Sequence, residues 1–164
     1  MAEFSHFDEK GASRMVDVGD KPATRRYARA SGRVVASAET LALLRDRKLS
    51  KGDAIEIARV AGIMAAKRTS DLIPLCHPLS LDSVKLNIEL QDTNSIAIEA
   101  EVTIRAATGV EMEALTAVSI AALTIYDMCK SVDRSIVVEQ IRLEEKQGGE
   151  SGHYVRGRES SSPG

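Results

Sequence analysis

Hydrophobic and polar positions alternate with a period of two in two neighbouring stretches of the chain. In "VKLNIEL", Val84, Leu86, Ile88 and Leu90 fall on one face. In "IAIEAEVTI", Ile96, Ile98, Ala100, Val102 and Ile104 do the same. That spacing predicts two strands that each bury one side, with "QDTNS" as the hairpin connection between them. Upstream the period lengthens. "SAETLALLRDRK" offers Ser37 as a helix start, with Thr40 following and Leu41, Leu43 and Leu44 apolar. Asp53 in "KGD" is the expected N-cap of a second helix, "AIEIARVAGIMAAKR", in which Ile57, Ala58, Ala61 and Ala65 recur at helical spacing. "LIPLCHPL" then carries two prolines, which predicts an irregular, rigid loop.

Residues 108–130, "TGVEMEALTAVSIAALTIYDMCK", are apolar nearly all round, which predicts an enclosed helix. "ASGRVVAS" with the residues before it, and "SIVVEQIRLEEK", complete the set as a first and a last strand. The order strand-helix-strand-strand-helix-strand predicts an α+β sandwich. It would place helices on one face of an antiparallel sheet, as in a ferredoxin-like plait. The polar, Gly- and Ser-rich ends, 1–12 and 148–164, are expected to be mobile tails around a single domain at 13–147.

Composition narrows the function classes. A chain of 164 residues, 43% hydrophobic and 28% charged, suits one globular domain. The net charge of −2 gives no global attraction for nucleic acid, and with three Tyr, two Phe and no Trp there is no base-stacking platform. An anionic ligand would have to be met by a local basic cluster. Cys76 and Cys129 make no disulfide framework, the opening "MAEFSHFDEKG" has no apolar core, and the uncharged run 114–126 is short for a membrane span. A cytoplasmic protein with no membrane partner is expected.

The candidate chemistry sits at element ends. The 108–130 segment carries Glu111 and Glu113 near its start and Asp127 and Lys130 near its finish, with no charge between Glu113 and Asp127. These groups are either solvated ends favoured by the helix dipole or two halves of a reaction site. The prolines around Cys76 and His77 would aim the imidazole in one direction. It serves either as a ligand-facing group or as a core histidine satisfied by a backbone carbonyl. Adjacent Cys and His without CxxC or HxxxH spacing argue against a metal site. Arg25, Arg26, Lys51, Lys67 and Arg68 are solvated charges or a phosphate grip. No GxxxxGK[ST] or GxGxxG occurs, so a P-loop or dinucleotide fold is not indicated.

"MVDVGDKPATRRYARASG", "KGDAIEIARVAGIMAAKRTSDLIPLCHPL" and "TGVEMEALTAVSIAALTIYDMCK" together resemble the MoaC family, the cyclic pyranopterin monophosphate synthases of molybdenum cofactor biosynthesis. The likeness runs from about Phe7 to His153. It implies a ferredoxin-like subunit, a homohexamer built as a trimer of dimers, and active sites at the dimer interface. It also implies a reaction: 3′,8-cyclo-7,8-dihydroguanosine 5′-triphosphate becomes cyclic pyranopterin monophosphate with release of pyrophosphate. Carried over onto this chain, the resemblance makes Lys51, His77, Glu111, Glu113, Asp127 and Lys130 catalytic. It makes Asp17, Arg26, Lys67, Cys76 and Met112 substrate-binding. No metal or other cofactor is required, although Mg²⁺ could travel with the triphosphate. One departure stands out. Ala106 and Ala107 occupy positions where the family usually carries Gly and a basic residue, which leaves Arg105 as the nearest cation.

Opening a dihydropurine ring and reclosing it as a pterin demands repeated proton delivery and removal. Lys51 and Lys130 in a partly desolvated pocket would have lowered pKa values and could act as acid and base. Asp127, three residues before Lys130, would share its helical face and orient the amine. Arg26 and Lys67 would stabilise charge as pyrophosphate leaves. Two other classes compete: a catalytically silent nucleotide-binding module, disfavoured because the matched site residues are all present, and a metal-dependent hydrolase, which a strong chelator would expose.

Overall fold

The computed structural model describes residues 6–91 and 94–157. Its elements run β1 (Thr24–Val35), α1 (Ala38–Arg45), α2 (Ala54–Ala66), α3 (Thr69–Leu72), β2 (Ser83–Gln91), β3 (Ser95–Ala106), α4 (Glu111–Cys129), β4 (Val137–Gln147) and β5 (Tyr154–Val155). The strands pair antiparallel in the order β2-β3-β1-β4-β5. The first four give the expected ferredoxin-like plait, and β5 extends its edge beyond β4.

Period-two alternation builds the core. Ile96, Ile98, Ala100, Val102 and Ile104 of β3, and Ala28, Ala30 and Val34 of β1, are all buried on the face covered by α4. The opposite face is a lattice of charge, with Arg29 bonded to Glu99 at 2.8 Å and Arg33 to Glu139 at 3.2 Å. Tyr27 donates to Glu101 at 3.1 Å, and burial, with the Glu101 charge, pushes its phenol up to about 12. The pairing of β1 with β4 is interrupted between Arg29 and Ala30 and between Ser31 and Arg33. Gln140, opposite this irregular stretch, has φ of 55°.

The helix starts follow the sequence. Ser37 accepts from the Thr40 backbone N–H at α1, and Asp53 from that of Glu56 at α2. Asp133, in the turn after α4, ties that turn to α1. Its carboxylate accepts from the Ser37 N–H at 2.9 Å, the Thr40 hydroxyl at 3.1 Å, the Ser135 N–H at 3.0 Å and the Ser135 hydroxyl at 2.6 Å. These bonds hold the Asp133 carboxyl well below the usual carboxylate range.

Three expectations change. The helix α2 stops at Ala66, one turn is rebuilt as α3, and Ile57 points outward at 43% exposure. The buried face of α2 is Ala54, Ala58, Gly62 and Ala65. Gly62 permits the close approach to α4, since a Cβ there would lie 2.9 Å from the Ala117 carbonyl oxygen and against Leu86. The long helix α4 is enclosed on most sides but not all: Leu123 is 56% exposed, on a stripe with Met112, Asp127 and Lys130. By length and composition α4 could cross a membrane, yet over half of it is buried against the sheet and α2. Of the two expected tails, residues 1–5 and 158–164 lie outside the described residues. Phe7 bridges to Ser13, and Tyr154–Val155 pair with β4.

Candidate active site

A cavity of about 800 Å³ opens where the start of α4, the 75–79 loop, the start of β1 and the end of β4 converge. That size suits a small-molecule site, which typically measures roughly 300–1,000 Å³. Its wall includes Arg26, Cys76, His77, Glu111, Met112 and Glu113. Six of the expected site residues therefore meet in one place.

Glu113 is the most perturbed group there. It is 4% exposed, and burial raises its carboxyl to about 7, with the nearby Glu111 charge pushing the same way. A backbone N–H at the helix start opposes the rise without cancelling it. A carboxyl that titrates near neutrality is suited to taking and returning protons. His77 places Nε2 2.8 Å from the Val16 carbonyl oxygen. A carbonyl can only accept, so Nε2 carries a proton and donates it to Val16. The histidine bonds a backbone carbonyl, as one reading expected, although it is half-buried rather than in the core, and it lines the cavity. The Cys76 thiol is pushed up by burial and then by the Glu113 charge, so it is a neutral wall group rather than a thiolate.

Arg26 lies along the cavity with Nε 3.4 Å from the Ala106 carbonyl and Nη2 3.2 Å from that of Ala107. Gly149, at φ of 82°, lets the chain pass beside this guanidinium. A side chain at 149 would collide with it. Lys146, at the end of β4, bonds Glu111 at 2.7 Å.

The remaining expected residues lie elsewhere. At the far end of α4, the Lys51 ammonium donates to the Asp127 carbonyl at 2.9 Å, and Lys130 pairs with the Asp127 carboxylate at 2.5 Å. All three side chains are substantially exposed. The expected lowering of the Lys130 pKa is not seen within one chain. The Asp127 bond and charge raise it, and nothing buries the ammonium enough to reverse that. The same pair lowers Asp127. Lys67 caps the end of α2, exposed and outside the cavity wall. Asp17 accepts from the Gly19 N–H at 2.9 Å, while its neighbours Val16 and Val18 line the cavity.

Sequence reasoning missed Lys146 and Lys21, both on the wall, and the Gly149–Ser151 stretch beside them. The available signal was the strand pattern that runs through Lys146, with a glycine pair at 148 and 149 just beyond it. Arg105, the nearest cation to the Ala106–Ala107 departure, is exposed and does not line the cavity. Among the described residues, no group of three or more His, Cys, Asp or Glu side chains gathers where it could hold a metal ion.

A carboxyl that burial raises to about 7, an imidazole held by a backbone carbonyl and a guanidinium, walled into one cavity of an antiparallel α+β fold, suit acid–base chemistry on a small molecule. The chain belongs to the MoaC family, whose pattern matches residues 15–149. It is 60% identical, over 95% of its length and 99% of the relative's, to the cyclic pyranopterin monophosphate synthase of Heliobacterium modesticaldum. The synthase of the same name from Desulfitobacterium hafniense is 56% identical over 94% of each chain. Cyclic pyranopterin monophosphate synthase 3 of Mycobacterium bovis is 57% identical over 93% of this chain and 86% of its own.

Proposed function

We infer that this chain is a cyclic pyranopterin monophosphate synthase of molybdenum cofactor biosynthesis. As a lyase it converts 3′,8-cyclo-7,8-dihydroguanosine 5′-triphosphate to cyclic pyranopterin monophosphate and pyrophosphate. The observation that carries this reading is the 60% identity to a synthase of that name over nearly the full length of both chains. The cavity supplies fitting chemistry. Glu113 exchanges protons near neutrality, His77 presents Nδ1, and Arg26 faces the developing charge of the leaving pyrophosphate. Met112 and Cys76 wall the ring system, Asp17 stands beside the wall residues Val16 and Val18, and Lys67, outside the cavity wall, is assigned to substrate binding by the family resemblance alone.

The roles of Lys51, Asp127 and Lys130 require a second subunit in this reading. The helix α4 is continuous, so this triad stands at the end opposite the cavity. We place it against the cavity of a neighbouring chain, in a homohexamer assembled as a trimer of dimers with the site at the dimer interface. Exposed Leu123 on α4 and Ile57, Val60 and Met64 on α2 are apolar positions a neighbour would cover. Docking would also take the two ammonium groups out of bulk water, the setting in which they could exchange protons with a substrate. The proposal requires no resident metal; Mg²⁺ would accompany the triphosphate, and the enzyme would work in the cytoplasm.

The test is to supply the cyclo-dihydroguanosine triphosphate to the purified protein, with and without EDTA. Equimolar pyrophosphate and an oxidisable, fluorescent pterin are expected. Plain GTP should yield neither, because it lacks the C3′–C8 bond from which the rearrangement starts. Loss of turnover in EDTA that Mg²⁺ restores would add a metal to the proposal.

A further inference from the structure

Three cations line the cavity among the described residues, and each already has a partner. Arg26 is bound to the carbonyls of Ala106 and Ala107. Lys21 lies 3.5 Å from Glu150, whose side chain is 88% exposed, so that contact is weak. Lys146 bonds Glu111 at 2.7 Å, and both side chains are only about a quarter exposed. This last pair joins the end of β4 to the first turn of α4 across the wall, and it occupies both a cation and a carboxylate of the site.

We propose that the Lys146–Glu111 pair is a latch opened by the substrate's polyphosphate. A phosphate oxygen takes the Lys146 ammonium, and Glu111 is thereby released into the cavity only when phosphate is bound. The inference rests on the synthase reading for its substrate class. It adds a residue and a coupling which that reading does not contain.

The exchange is physically balanced. One charge-assisted contact is broken and another is formed, to a partner with more negative charge and more acceptor oxygens. Glu111, left without its lysine, remains in the first turn of α4, where the positive end of the helix dipole favours a carboxylate. Arg26 cannot serve as the latch, because its partners are backbone carbonyls with no charge to release.

A thermodynamic cycle on the full chain tests this, with inorganic tripolyphosphate as the probe and calorimetry as the readout. Lys146→Gln should weaken binding about five- to tenfold, a modest coupling by usual standards. Lys146→Arg should retain most of the affinity. Glu111→Gln should tighten binding by a similar factor, because Lys146 is then free. In the double variant that tightening should vanish. Tightening that persists without Lys146 would mean simple removal of a negative charge, and would overturn the latch. So would wild-type affinity in Lys146→Gln, no gain in Glu111→Gln, or no binding by the unmodified protein. Lys146→Ala replaces the Gln variant if the latter fails to fold. The synthase reading fails separately, by absence of turnover in a protein whose tripolyphosphate cycle is intact.

Discussion

Glu113 and Lys130 stand at opposite ends of one unbroken helix, seventeen residues apart, which at 1.5 Å per residue separates their Cα atoms by about 25 Å. Each keeps its own company. Glu113 is buried in the cavity with His77, while Lys130 is exposed with Asp127 and Lys51. One small molecule does not bridge that distance within a single chain, so the site as proposed is divided between chains.

Removing either lysine should abolish most turnover without unfolding the protein. Lys51 and Lys130 are exposed and carry no core packing, while positioned acid–base groups contribute about 10²- to 10⁴-fold. Lys51→Ala and Lys130→Ala should therefore lose activity in that range with unchanged circular dichroism and assembly size. Wild-type turnover in either variant would remove that lysine from the mechanism.

Glu113 should impose a pH dependence of definite sign. Its folded pKa of about 7 lies above its ordinary value, so the folded state binds more protons than the unfolded state at intermediate pH. Stability is thus lost as pH rises from about 4.5 to about 7. Glu113→Gln should raise Tm by several degrees at pH 8 and leave it unchanged near pH 4. The limb near pH 7 in the profile of kcat/KM should disappear with it. A Tm difference independent of pH would show that the carboxyl titrates normally.

Asp133 has the opposite linkage. Four hydrogen bonds hold its pKa below the ordinary value, so its stabilisation is present above about pH 4 and is lost as pH falls. Asp133→Ala should destabilise by about 2–4 kcal/mol at neutral pH, since it leaves the Ser37 N–H without its acceptor and takes one of two partners from the buried Thr40 hydroxyl. In urea titrations, the gap from wild type should narrow at pH 3. A gap that stays constant would mean that packing, not the charge, does the stabilising.

Much of this was legible in the chain because the signals were local. The alternation of Ile96 through Ile104 gave β3, Ser37 and Asp53 marked two helix starts, and the prolines beside Cys76 and His77 gave the rigid loop that orients the imidazole. Ile57 was misassigned because α2 buries small residues against α4. A face of Ala54, Ala58 and Gly62 carries less hydrophobic signal than the outward Ile57, Val60 and Met64. Lys146 was missed because its significance is tertiary: it depends on the end of β4 meeting the start of α4, far away in sequence. The separation of Glu113 from Lys130 was readable from helix length alone, because the helix is continuous.

Subunit mixing tests that division most directly. Glu113→Ala and Lys130→Ala chains, each inactive alone, are refolded together and assayed for pterin formation. In an isologous dimer, half of the random pairs are mixed and each mixed pair regains one unmutated site of two. Recovery of up to about a quarter of wild-type activity is expected. Confirmed co-assembly with activity no higher than that of the parents would show that the two ends of α4 do not meet across subunits, and would contradict the divided site.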